Sequence, residues 1–334
     1  MARYPVPILP KDLFPKKMPP QNSPEYVALA KQIAVKTGEA AKAPRTFFLF
    51  ERTRAEQRYN RLLNKILKVI EQRLANITNP AQITSTMNGI VNAPWFTSMC
   101  REAAKQMATM LAVGQKASWR EAAAASSHGR EIYKALMREM KETPIGGTIN
   151  NIVEQNAQLI KTVPQTMAKK FSHLAQQRKF EGVRHEEIMK EIQAKAPHLR
   201  EFEARRIART ESAKAATSLV QARAEKWGLN FYVWRAINDE RTRDAHSSMS
   251  GVLCQWSDPP NPEAMFGGHN SGGPYHPGCI YNCRCRAVPV LDIEDIAFPV
   301  RVHMNGSVVK IRNKHSFMQQ FNLSTKEGGT KTNE

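Results

Sequence analysis

Nothing in the 334-residue sequence approaches the run of roughly 18 apolar residues that a bilayer-spanning helix needs; the best candidate, Met107 to Val113, is far too short. Aromatic residues supply only 7% of the chain, and a mean hydropathy of −0.50 gives no sign of a membrane protein. The first residues, MARYPVPILPKDLFPKK, break their apolar stretch with prolines and lack the helical core of a secretion signal, so the protein is expected to stay where it is made. Acidic residues are scarce. Thirty Asp and Glu face 49 Lys and Arg, a formal net charge of +19. Charge of that size draws phosphate backbones or other polyanions in a salt-dependent, sequence-blind way. Enzyme signatures are missing too. There is no HExxH, no HxE paired with PCxxC, no GxSxG and no GxxxxGK[ST].

Cysteine is limited to Cys100, Cys254, Cys279, Cys283 and Cys285, and three of these fall within seven residues. An odd, clustered set in a chain with no export signal argues for reduced thiols or a metal, not a disulfide framework.

The length allows two domains. Residues 1–28 carry seven prolines among basic and apolar residues, which forbids helix and predicts either an extended arm that orders on a partner or a floppy tail. Residues 29–198 read as a helical domain. Its clearest segment sets Tyr59, Leu62, Leu63, Ile66, Leu67, Ile70 and Leu74 on one face, opposite basic residues, and stops at Asn79-Pro80. Shorter helical patterns run from Pro94 to Gly114, Trp119 to Met140, Asn150 to Lys161 and Gln165 to Phe180. A long helix is predicted from about Leu199 to Trp227, closing at Gly228, where glycine suits the left-handed C′ position. The pattern then changes. Phe231 to Trp234, Gly251 to Leu253 and CRCRAVPV from Cys283 to Val290 read as short strands. Val300 to Met304 and Ser307 to Arg312 flank Asn305-Gly306, a favoured two-residue hairpin turn. The expected architecture is α+β: a largely helical N-terminal region, a small mixed α+β domain with a short irregular sheet over 199–296, and a hairpin with a disordered tail over 297–334.

Between Trp234 and Cys285 the chain concentrates Asp239, Arg241, Thr242, Arg243, His246, Cys254, His269, His276, Cys279, Cys283 and Cys285. Two cysteines two apart on a strand put both thiols on one face. His246, His276, Cys279, Cys283 and Cys285 are therefore candidate ligands for Zn2+, which favours tetrahedral nitrogen and sulfur donors, and a closed structural site is expected over a catalytic one. His276, Cys279, Cys283 and Cys285 alone would crowd four ligands into ten residues, so at least one donor is expected from elsewhere. The alternative is plain: buried cysteines as small hydrophobes and histidines as ordinary hydrogen-bonding groups. Asp239 starts a charged turn, expected to accept backbone amides or to pair with Arg209 or Arg284.

Arg209-Thr210-Glu211 on a helix is followed by Trp234, Asp239-Glu240-Arg241-Thr242-Arg243, His246, Gly251, His276-Pro277, Asn282-Cys283-Arg284-Cys285 and Val288-Pro289-Val290. In that order these motifs resemble the phage head morphogenesis family, the minor head proteins related to the Mu F protein, over about residues 200 to 292. The resemblance implies a non-enzymatic minor capsid protein of a tailed phage, with Arg209, Thr210, Glu211, Asp239, Arg241 and Arg284 as its structural motif. The implied partners are the portal protein or major capsid protein and packaged double-stranded DNA, with no membrane involved during assembly. The implied location is the virion, at the capsid interior or portal vertex, after assembly in the host cytoplasm; the implied roles are head assembly, DNA packaging or DNA ejection. In that family cysteines often occupy the positions of Arg243 and His246. This chain departs there, so a shared metal site requires His246 to stand in for a cysteine. The competing expectation is a zinc-dependent hydrolase or nuclease using Asp239, His246 and His276.

Overall fold

The structure, a computed structural model, describes residues 49–125, 146–268 and 273–323. The proline-rich arm, the end of the Trp119 to Met140 pattern, His269 and the polar tail lie outside the described residues. The architecture is α+β: helices throughout the N-terminal region, then a small mixed sheet.

Among the described residues six helices precede the sheet: α1 (Leu49–Ala75), α2 (Ile83–Asn92), α3 (Pro94–Ala125), α4 (Gly146–Lys161), α5 (Val163–Phe180) and α6 (His185–Lys226). The amphipathic stripe of α1 forms because its apolar residues recur every three or four positions. Tyr59, Leu63, Ile66, Leu67, Ile70 and Leu74 are all buried, against α6 and α3. Each such aliphatic side chain contributes about 1.5–3 kcal/mol by leaving water. A polar staple crosses this core: Tyr59 donates to Asn156 Oδ1 at 3.0 Å, and Asn156 Nδ2 donates to the Ile152 carbonyl at 2.9 Å. Asn79 ends the loop after α1 by accepting from the Ala81 amide, with Pro80 opening a 3-10 turn.

Helix α6 is the element that differs most from expectation. It begins at His185, not near Leu199, and runs 42 residues through Pro197. The predicted boundary at residue 198 therefore falls inside one continuous helix. Up to Leu219 it buries Ile188, Ile192, Ala204, Ile207 and Leu219 in the helical core. Its last turns bury Val220 and Ala224 against the sheet. It ends as predicted, with Gly228 at φ 67. Helix α3 likewise continues through Gly114, where a break was expected.

The sheet holds β1 (Phe231–Arg235), β2 (Leu253–Gln255), β3 (Arg286–Pro289), β4 (Val300–Met304) and β5 (Ser307–Ile311), in the order β3-β1-β2-β4-β5. Strand β1 lies antiparallel to β2 and β3, and β4 joins β2 in parallel. The Asn305-Gly306 hairpin forms, with both residues at positive φ, and its strands belong to the same sheet as the motifs before residue 297. FYVW reads as a continuous apolar run because both faces of β1 are covered. Tyr232 and Trp234 meet α6 and Trp119 of α3. Phe231 and Val233 meet Phe317 of the closing helix α9 (Lys314–Gln320). Two short helices, α7 (Asp244–Met249) and α8 (Pro262–Phe266), sit between strands and pack on each other.

Candidate metal centre

Strand β3 begins only at Arg286, so Cys283 and Cys285 lie in the turn leading into it. The alternation survives regardless: Cys283 and Cys285 are 2% and 3% exposed, while Arg284 between them reaches solvent. Asn282 enters this turn in the left-handed region, φ 54, a conformation asparagine tolerates.

Three contacts hold the segment to the helices. Arg52 of α1, more than 230 residues away in sequence, donates to the carbonyls of Cys283 at 2.9 Å and of Arg284 and Cys285 at 3.3 Å. Thr217 of α6 donates to the Pro277 carbonyl at 2.6 Å. Gly278, at φ 89, lets the His-Pro-Gly turn approach closely; a Cβ there would stand 3.1 Å from Thr217 Oγ1 and 3.2 Å from the Cys285 carbonyl. Thr210 accepts weakly from the Asn282 amide at 3.5 Å.

Helix α7 brings His246 to the two sulfurs. Its Nδ1 lies 3.6 Å from Cys283 Sγ and 3.4 Å from Cys285 Sγ. Bond lengths of about 2.3 Å to sulfur and 2.0–2.1 Å to nitrogen, at a tetrahedral angle, require a nitrogen-to-sulfur edge of about 3.6 Å. Both nitrogen-to-sulfur distances lie close to that edge. All three side chains are buried, with ligand atoms within 4.8 Å of one another.

The far side of the imidazole is equally defined. His246 Nε2 lies 2.8 Å from Tyr275 Oη and 3.2 Å from Glu263 Oε1, and Tyr275 donates to Glu263 Oε2 at 2.5 Å. A carboxylate that takes the Nε2 proton fixes the tautomer and frees Nδ1 for a metal, the usual support for a ligating histidine. Burial alone would raise the Glu263 carboxyl, but hydrogen bonds from Tyr275 and His246 outweigh it and hold the group below its ordinary value. Burial and the adjacent Glu263 push Tyr275 up, so it remains a donor. The hydrogen bond from Cys285 pulls Cys283 well below the ordinary thiol value, with help from His246, while the donor Cys285 is pushed well above it.

His276 and Cys279 are not brought into this group. His276 Nδ1 instead faces Tyr232 Oη at 3.0 Å, beside Trp256, and burial lowers it to about 4. Burial pushes the Cys279 thiol up to about 12. Asp239 is committed elsewhere. It accepts both Arg284 guanidinium nitrogens at 2.5 Å, Thr242 Oγ1 at 2.9 Å and the Arg241 amide at 3.2 Å. Arg284, not Arg209, is its partner; Arg209 pairs with Glu56 at 3.6 Å and Glu211 with Lys214 at 2.9 Å. Asp239, His246 and His276 thus face three different sets of partners, and no hydrolytic triad is assembled from them.

The metal-type group forms the floor of a cleft rimmed by Ile237, Arg241, Thr242, Arg243, Asn282 and Arg284. Arg52, Thr217, Glu263, Tyr275 and Gly278 escaped the sequence reading. Proline and glycine around Tyr275 marked a turn there, but nothing local connects Arg52 to residues so distant.

Residues 169–288 match the family described as Phage Mu protein F like protein. The matched span takes in the whole site except Arg52. The chain is also similar to an uncharacterized protein of Haemophilus influenzae, 28% identical over 176 residues. That alignment covers 52% of this chain and 35% of the relative, so the chain spans about a third of the length of the relative it matches. No solved structure matches.

Proposed function

We propose that this chain is a minor structural component of a tailed-phage head, attached to the portal or the inner capsid wall. It lies beside packaged DNA and acts in head assembly, packaging or ejection without catalysing a reaction. The Mu F-like match over 169–288 carries this reading. The net charge of +19 supports proximity to DNA, since a basic surface lowers the cost of close phosphates. In this reading the small sheet is clipped by one Zn2+ on His246, Cys283 and Cys285, which contributes folding energy to a module whose loops exceed its strands.

The test is quantitative mass spectrometry of purified heads with and without the portal. The protein is expected in a fixed copy number per particle, lost when portal is omitted if the portal is its dock and retained if the capsid wall is. Absence from both kinds of head overturns the proposal. Elemental analysis tests the clip: one zinc per chain, lost in C283S/C285S, is expected, and none in protein purified without chelators removes it.

A further inference from the structure

The three-ligand group leaves one corner of a tetrahedron without a protein donor among the described residues. All three ligand residues line the cleft, and the Trp234 ring stands 5.6 Å from the His246 ring. The rim is unusual in its chemistry. Arg241, Arg243 and Arg284 line it together with Thr242 and Asn282, while the acidic neighbours Glu240 and Asp244 do not. The Asp239 turn builds this arrangement. Asp239 neutralises Arg284 and gathers the Arg241 amide and the Thr242 hydroxyl. Arg243 donates to the Tyr281 carbonyl at 2.9 Å, which leaves the rest of its guanidinium toward the rim. Arg241 is exposed, and no described group takes its guanidinium.

We propose that the mouth of this cleft binds a phosphate group, one of whose oxygens completes the coordination of the metal while Arg241 and Arg243 hold the others. The inference rests on the zinc reading above. Two thiolates already neutralise a divalent zinc, so the attraction for an anion comes chiefly from the arginines, whose planar forks match phosphate oxygens. Asn282 adds an uncharged donor at the same mouth. Free orthophosphate and the phosphodiester of DNA share this chemistry.

The test uses the full-length protein loaded with cobalt(II), whose thiolate charge-transfer band reports Cys283 and Cys285 and whose ligand-field bands report the fourth ligand. Orthophosphate and a short DNA duplex are titrated separately at fixed ionic strength. A saturable shift of the ligand-field bands is expected, with the charge-transfer band unchanged. A shift with duplex makes the phosphodiester the ligand; a shift with orthophosphate alone makes it a small anion. R241Q, at an exposed side chain, is expected to weaken the response about tenfold, the loss of one charge-assisted hydrogen bond, with cobalt stoichiometry intact. Ligand-field bands that neither titrant moves overturn the phosphate site and leave the metal centre standing. No charge-transfer band at all removes both.

Discussion

Replacing Arg52 by methionine is the most direct probe of how the helices and the Mu F-like segment hold together. Methionine fills most of the volume but withdraws every donor from two buried carbonyls and one half-buried one. Hydrogen bonds from charged donors are worth about 1.5–3 kcal/mol each, and two of the three here are long. Burying the guanidinium, whose pKa burial lowers, returns part of that gain. The net loss should be about 3 kcal/mol, which at about 2–4 °C per kcal/mol for a chain of this size lowers Tm by roughly 6–12 °C. Lysine keeps the charge but cannot span three acceptors, so R52K should fall between wild type and R52M. Differential scanning calorimetry on the metal-free protein isolates this effect from the metal. A Tm within 2 °C of wild type in R52M would refute the idea that Arg52 joins the two parts.

Glu263→Gln should retain the fold and lower zinc affinity about 10–100-fold, measured by competition with a chromophoric chelator, because the carboxylate that orients His246 is gone. His276→Gln should leave zinc affinity unchanged, since His276 faces Tyr232. The same histidine sets a pH dependence. The fold holds it at about 4 against 6.5 for the free side chain, so below pH 6.5 only the unfolded chain takes up the proton. Stability should therefore fall by roughly 3 kcal/mol between pH 6.5 and 4 and then level off; urea midpoints across that window in wild type and H276Q would show it, with the slope reduced in the variant. Gly278→Ala should cost about 2 kcal/mol or more, read from the urea midpoint, since the added Cβ meets two carbonyls and a hydroxyl at positive φ. Affinity for random duplex DNA should drop at least 100-fold between 50 and 200 mM salt by fluorescence anisotropy; a flat response would remove DNA from the partners.

Much of this fold was legible because its signals are local. The α1 stripe, Gly228 as a helix stop, the Asn305-Gly306 turn and the alternating exposure around Cys283 all depend on periodicity or on one residue's backbone freedom. The Leu199 start of α6 was misplaced because Pro197 reads as a breaker. In the structure the flanking helix is buried on both sides of it, and tertiary packing outweighs the lost hydrogen bond. The metal-type group was half legible. Cys283, Cys285 and His246 follow from spacing and residue type, whereas exclusion of His276 depends on which way the His-Pro-Gly turn faces. That orientation is set by Thr217 and Gly278, a contact across 60 residues. Glu263 and Tyr275 carry no metal signature; only the geometry assigns them.

Helix α6 has a mechanical consequence. Forty-two residues at 1.5 Å each make a strut about 63 Å long, and it carries Thr210 and Thr217 against the turn that presents the cysteines. The strut has one weakened joint: Pro197 lacks the amide that would close the ladder to Gln193. A load applied to its first turns, at the surface where α5 and α6 meet, would flex at that joint before it reached the cysteines. The 29 residues beyond Pro197 bury Ala204, Ile207 and Leu219 in the helical core and Val220 and Ala224 against the sheet, and Arg52 of α1 holds the cysteine turn, so a tilt of the bundle beyond that joint would be transmitted to the site.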